Sequence, residues 1–126
     1  MNILVIEDDV LVTRVNVGLM KRLVSEGGRV DNAYDGATAK ALVERNEYDI
    51  ILMDFGLPDC HGLDLTRYFR SQGINALIVG VSGNLAQARP QERVDAGLDW
   101  GYQKPLRAAQ VAEIVQRYHE KFSAKH

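Results

Sequence analysis

This 126-residue chain has one cysteine and three prolines, and none of its apolar runs approaches the roughly 20 residues of a membrane span. The lone Cys60 excludes an internal disulfide framework. Met1-Asn2-Ile3-Leu4 has no basic stretch ahead of an apolar run, so nothing there reads as a secretory signal. A formal net charge of −2 gives no basic surface for nucleic acid. Linkers, repeats and low-complexity segments are also missing. These absences point to a cytoplasmic protein with no membrane insertion and no nucleic-acid partner, and 126 residues make a single domain over 1–126, too short for two. The 46% hydrophobic and 25% charged content belongs to a globular chain.

What is present is a series of short apolar runs that end in polar chemistry. Ile50-Ile51-Leu52-Met53 closes on Asp54 and is followed by the turn-formers of Phe55-Gly56-Leu57-Pro58. Such a run reads as a strand buried on both faces, as in a parallel sheet. Ile3-Leu4-Val5-Ile6 leads into Glu7-Asp8-Asp9, and the run from Ala76 to Val81 leads into Ser82. Lys104 precedes Pro105 late in the chain.

Segments of helical period lie between these runs. Val12, Val15, Leu19 and Leu23 share one face of a first helix ending near Gly27-Gly28. A second strand is expected over 29–34, and a second helix over 36–46 with Ala37, Ala41 and Leu42 inward. The third strand spans 48–54. A third helix over 62–72 carries Leu63, Leu65 and Phe69 and stops at Gly73. The fourth strand spans 75–81, and a short fourth helix begins near Pro90 within 85–96. A fifth strand over 99–103 and a last helix over 107–122, with Val111, Ile114, Val115, Tyr118 and Phe122 on one face, complete five βα units. That repeat implies an α/β fold with a parallel sheet, helices on both sides and right-handed crossovers. Lys121, Lys125 and His126 read as a frayed basic tail.

In a parallel sheet the strand C-termini share one edge, where open α/β sheets place their ligands. Glu7-Asp8-Asp9, Asp54, Ser82 and Lys104 therefore converge. Crowded carboxylates repel one another and call for a cation, and an all-oxygen set with few protein ligands suits Mg²⁺. Asp54 is then the nucleophile, attacking phosphorus to give an acyl phosphate. The metal, the lysine and the serine hydroxyl neutralise the charge on the equatorial oxygens. Each residue also has a plainer reading: Asp54 as a turn residue, Ser82 before Gly83 as a turn or cap, Lys104 as a solvated lysine. His61 beside Cys60 has no further cysteine to complete a transition-metal site and reads as a loop pair near the site.

Taken together and in order, these motifs resemble the receiver domain of two-component response regulators over essentially the whole chain. Glu7 and Asp8 match the acidic pair, Asp54 the phosphoacceptor, Ser82 the Ser/Thr after the fourth strand, and Lys104-Pro105 the Lys-Pro whose peptide is usually cis. Pro58-Asp59-Cys60-His61-Gly62 fits the Pro-x-Met-Asp-Gly loop with Cys60 and His61 as departures, and Ala96-Gly97-Leu98-Asp99 fits the run before the fifth strand. The resemblance implies a flavodoxin-like (βα)5 doubly wound fold, strand order 2-1-3-4-5. It also implies Mg²⁺ ligation by Asp8, Asp54 and the Gly56 carbonyl, with Glu7 acting through water. Asp9 is a further ligand candidate, although its place before a helix favours an N-cap. Gly56 and Asn84 occupy the positions that usually modulate phosphoryl lifetime.

The implied function is phosphorelay signalling: Asp54 takes a phosphoryl group from a histidine kinase or histidine phosphotransfer protein, and a protein partner reads the altered surface. The chain would be a monomer or weak dimer, and not an enzyme with a separate substrate. One departure concerns the switch. The aromatic expected three residues before Lys104 is Gly101, and strand alternation points Trp100 and Tyr102 to the opposite face. Phosphorylation is then expected with an altered readout at the fourth helix and fifth strand. Two alternatives compete. An aspartyl-nucleophile, Mg²⁺-dependent phosphatase of haloacid-dehalogenase type wants a second aspartate where Gly56 stands. A degenerate receiver would act as a docking module only.

Overall fold

A computed structural model describes residues 1–123, and Lys125 and His126 of the expected basic tail lie outside the described residues. Strands and helices alternate along the chain. They are β1 (Asn2–Ile6), α1 (Val10–Lys21), β2 (Arg29–Ala33), α2 (Gly36–Arg45), β3 (Ile50–Met53), α3 (Gly62–Ser71), β4 (Leu77–Ser82), α4 (Pro90–Ala96), β5 (Trp100–Gln103) and α5 (Ala108–Ser123). A single 3₁₀ turn, Leu85–Gln87, lies between β4 and α4. The five strands form one parallel sheet in the order β2-β1-β3-β4-β5, as expected. The chain leaves β1 toward β2 and then crosses back to β3, so the order reverses between β1 and β3. The loops after those two strands diverge there and open a crevice at the C-terminal edge.

Because β1, β3 and β4 are covered on both faces, they are apolar at nearly every position. Alternate residues feed two cores. Leu4, Ile6, Ile51, Met53 and Ile78 pack with Leu65 and Phe69 on one face. Ile3, Val5, Ile50, Leu52 and Val79 pack with Met20, Val111 and Ile114 on the other. Each of these fully buried side chains contributes on the order of 1.5–3 kcal/mol of transfer free energy. That rigid double core holds the strand ends, and hence the polar residues that follow them, in fixed relation.

The expectations for α1, α2 and Lys121 are corrected. α1 ends at Lys21, short of Gly27-Gly28, and its buried residues are Thr13, Asn16 and Met20, whereas Val15 is 58% exposed. A hydrophobicity pattern cannot see this face because two of its three residues are polar, and the Thr13 hydroxyl donates to the Glu7 carbonyl at 3.1 Å. In α2 the buried positions are Gly36 and Ala39, while Ala37 and Ala41 face solvent. Lys121 does not belong to a frayed tail, since its Nζ lies 3.1 Å from Asp99 and 3.2 Å from the Ala76 carbonyl. α3 buries Leu63, Leu65 and Phe69 as expected, and α5 packs Val111, Ile114, Tyr118 and Phe122 inward, whereas Val115 is half-buried and outside that core.

Candidate functional site

The site assembles at the C-terminal edge of the sheet. The Glu7 N–H donates to Ala33 and the Asp54 N–H to Ile6, so both residues continue the ladders of their strands before the chain turns away. Lys104 continues β5 in the same manner, its N–H donating to the Ser82 carbonyl at 2.8 Å. The Lys104–Pro105 peptide is cis, as the resemblance implied. Gly62, at the start of α3, packs directly on the backbone after Asp54: a Cβ there would lie 2.8 Å from the Phe55 Cα. Only a glycine lets the helix seat that closely.

Carboxylate oxygens of Glu7, Asp8 and Asp54 all lie within 4.8 Å of one another. Among the described residues these three form the one such cluster of potential metal-ligating side chains. Lys104 Nζ sits 2.5 Å from Glu7 Oε1 and 3.3 Å from Asp54 Oδ1. Glu7 and Asp54 are buried, at 2% and 5% exposure, while Asp8 is open to solvent. Burial pushes the Glu7 carboxyl up to about 7; Lys104 and the Asp9 N–H oppose that rise, and Asp8 and Asp54 add to it. Burial alone would lower the Lys104 ammonium, but Glu7 and Asp54 together hold it above the ordinary lysine value.

One lysine facing three carboxylates leaves negative charge uncompensated. The donor set is all oxygen, two of its members are buried, and one is exposed to the cleft. Those features fit a small, hard divalent cation with part of its water shell retained.

A cleft of about 520 Å³ opens over this cluster, lined by Asp8, Asp54, Gly56, Ser82, Asn84 and Lys104 among others. The expected site residues Asp8, Asp54, Gly56, Ser82 and Lys104 thus share one cavity, with Glu7 buried beneath it. Asp9 stands apart from the cluster and is the N-cap of α1, its Oδ1 accepting from Leu11 N at 2.9 Å and Val12 N at 3.0 Å. Gly101 lies on β5 away from the cleft. Trp100 is exposed beneath the Arg117 guanidinium, 3.4 Å from the ring centroid, and the buried Tyr102 donates to Glu113 at 2.8 Å.

His61 lies at the cleft, as expected of a loop residue near the site, but its role there was not read from the sequence, and Gln103 beside the site was not expected. His61 is the N-cap of α3, its Nδ1 accepting from Leu63 N at 3.1 Å, and its ring lines the cleft beside Phe55. Its place immediately before Gly62 at a helix start was the available signal. Gln103 binds the loop after β4, and a glutamine at the end of a short strand carries no such signal in sequence.

The response regulator receiver domain model matches residues 3–116. The chain is 30% identical over 121 residues to two-component system protein A of Emericella nidulans, covering 93% of this chain and 17% of that protein. It is 29% identical over 121 residues to the sensor histidine kinase RcsC of Escherichia coli K12, covering 96% of this chain and 12% of that protein. The chain therefore spans less than a fifth of the length of either relative. Among solved structures, the receiver domain of a sensor histidine kinase from Pseudomonas aeruginosa PAO1 superimposes with a TM-score of 0.79 at 32% identity, covering 93% of this chain and 95% of that one. That structure holds a magnesium ion coordinated in its active-site cleft. No helix among the described residues is long and apolar enough to cross a membrane.

Proposed function

The chain belongs to the response regulator receiver domain family of two-component phosphorelay systems, and from that premise we propose that Asp54 is its phosphoacceptor. The observation that carries this reading is the position of Asp54. It is a buried carboxylate at the sheet's C-terminal edge, held between two other carboxylates and a lysine, and it lines a cleft shared with Ser82.

The donor is a phosphohistidine of a histidine kinase or phosphotransfer protein. An Asp54 carboxylate oxygen attacks phosphorus as the P–N bond breaks, and the imidazole leaves with the electron pair. Lys104, already against Glu7 and Asp54, faces the charge on the transferring group, and the Ser82 hydroxyl donates to one of its oxygens. Asp8, Asp54 and the Gly56 carbonyl would hold Mg²⁺, and Glu7 would act on it through water. When bound, the ion offsets the carboxylate charge and that of the phosphoryl oxygens. Magnesium in the cleft of the Pseudomonas relative supports this assignment. The chain promotes its own phosphorylation and hydrolysis in the cytoplasm and turns over no separate substrate.

Incubation with Mg²⁺ and acetyl phosphate or beryllofluoride tests the reading. A stable modification that disappears in Asp54→Ala is expected. Rapid multiple turnover of phosphomonoesters would instead favour the phosphatase, and no response would favour the docking module.

A further inference from the structure

Gln103 ends β5 directly opposite Ser82 in the parallel register. Its side-chain amide reaches across to the loop that follows Ser82 and engages it at two points. Oε1 accepts from the Leu85 N–H at 3.1 Å, and Nε2 donates to the Gly83 carbonyl. Between those two anchors, the Asn84 N–H donates to the Ser82 hydroxyl oxygen at 3.1 Å. Ser82, Gly83 and Asn84 all line the cleft over Asp54.

The loop is thus fixed by a side chain that does not itself line the cleft. A second contact acts in the same direction. The Leu85 side chain folds onto Gly101, where a β-carbon would lie 2.9 Å from its Cδ1. Glycine at 101 leaves the space that Leu85 occupies, and Gln103, two residues on and so on the same face of β5, supplies the polar anchor. An ordinary hydrogen-bonded loop would satisfy Gly83 and Leu85 from within itself or from water. Here both groups are tied to the strand that carries Lys104.

We propose that Gln103 is a positioning residue for phosphoryl binding: its amide sets the Ser82–Asn84 segment over Asp54 and ties it to β5. This rests on the reading of Asp54 as phosphoacceptor. Gln103 is exposed, so its substitution leaves both cores intact. It has no contact with Glu7, Asp8 or Asp54 among its hydrogen bonds, so Mg²⁺ affinity should not depend on it.

The test compares the wild-type chain with Gln103→Met, which keeps the length of the side chain and removes its amide. In metal-free protein, the Leu85 amide should exchange with solvent about tenfold faster in Gln103→Met, the scale of one lost hydrogen bond, while the strand amides are unchanged. With saturating Mg²⁺, beryllofluoride binding followed by ¹⁹F NMR should weaken about tenfold, with the Mg²⁺ dissociation constant unaltered. Gln103→Met with wild-type exchange and wild-type beryllofluoride affinity overturns the proposal. Equal loss of Mg²⁺ and beryllofluoride affinity also overturns it, since that marks a general structural effect. Wild-type protein that binds no more beryllofluoride than Asp54→Ala removes the phosphoacceptor reading, and this proposal with it.

Discussion

Leu85 closes over Gly101, its Cδ1 2.9 Å from where a β-carbon on that glycine would sit. Adding a methyl there pushes only on the end of a flexible side chain, so Gly101→Ala should change stability by less than about 1 kcal/mol. A ring has no such room. Gly101→Phe should displace Leu85 and cost about 1–3 kcal/mol, read by urea denaturation. Wild-type stability in Gly101→Phe would mean that the 3₁₀ turn has another place to rest.

The same relationship bears on signalling. Tyr102 is held by Glu113 and Trp100 lies under Arg117, both on the α5 side of the strand. Structures with and without beryllofluoride should therefore show both rings in place, with movement confined to the loop after β4 and to α4. Rotation of either ring on activation would overturn the expectation of an altered readout.

Magnesium should stabilise the fold, because three crowded carboxylates with one lysine repel each other until a cation binds. At a hundred times the dissociation constant the linkage gives about 2.7 kcal/mol, visible as a higher Tm in Mg²⁺ than in EDTA. Asp8→Asn and Asp54→Asn should each abolish most of that difference. Asp54→Asn should also melt higher than wild type in EDTA, since it removes one repelling charge. A full Mg²⁺ response in both variants would place the ion elsewhere.

Asp59 ties the loop after β3 to the start of α2, its two oxygens accepting from Gly36 N at 2.8 Å and Ala37 N at 2.9 Å. Those two bonds hold its carboxyl below the usual aspartate range. A group depressed in the folded state stabilises above its unfolded pKa, and that stabilisation disappears as pH falls through the folded value. The Tm gap between wild type and Asp59→Ala should accordingly be full at neutral pH and close in acid. A gap independent of pH would show that the carboxylate charge is not what holds this contact.

Arg70 closes the opposite end of the sheet. Its guanidinium donates to Gly97 at 3.0 Å, to Ile74 and Ala76 at 2.8 Å each, and pairs with Asp99 at 2.8 Å. Arg70→Met leaves three partly buried carbonyls without that donor and should cost about 1–3 kcal/mol in chemical denaturation. Arg70→Lys should recover little. An ammonium cannot reproduce the planar fork, and Lys121 already supplies one to Asp99 and Ala76.

Sequence exposed the parts of this molecule that depend on apolar continuity and on chain order. The run from Ile50 to Met53, bounded by turn-formers, reads as a strand covered on both sides, and the order of Glu7-Asp8, Asp54, Ser82 and Lys104 along the βα repeat puts them at one edge. It was silent where polar side chains do structural work. Thr13 and Asn16 are buried in α1, whereas hydrophobic spacing points to Val15, which is exposed. Gln103 and Arg70 act through hydrogen bonds to backbone atoms 20 and 27 residues distant, respectively, contacts with no local periodicity to betray them.

His61 shows how a departure from a family pattern is absorbed locally. The usual aspartate before the glycine would cap α3 through a carboxylate, and here an imidazole nitrogen accepts the Leu63 N–H in its place. The ring also gains a contact unavailable to aspartate, with Phe55 at a centroid separation of 5.5 Å. His61→Ala removes both and should lower stability by about 1 kcal/mol or slightly more. His61→Asn keeps a cap acceptor and loses the ring, so it separates the two contributions. If the cap dominates, His61→Asn stays within about 0.5 kcal/mol of wild type in chemical denaturation, because asparagine is among the best N-caps. If the Phe55 contact dominates, His61→Asn falls to the level of His61→Ala. The geometry favours the first outcome, since the Leu63 N–H at the helix start needs an acceptor, whereas Phe55 is buried by other neighbours as well.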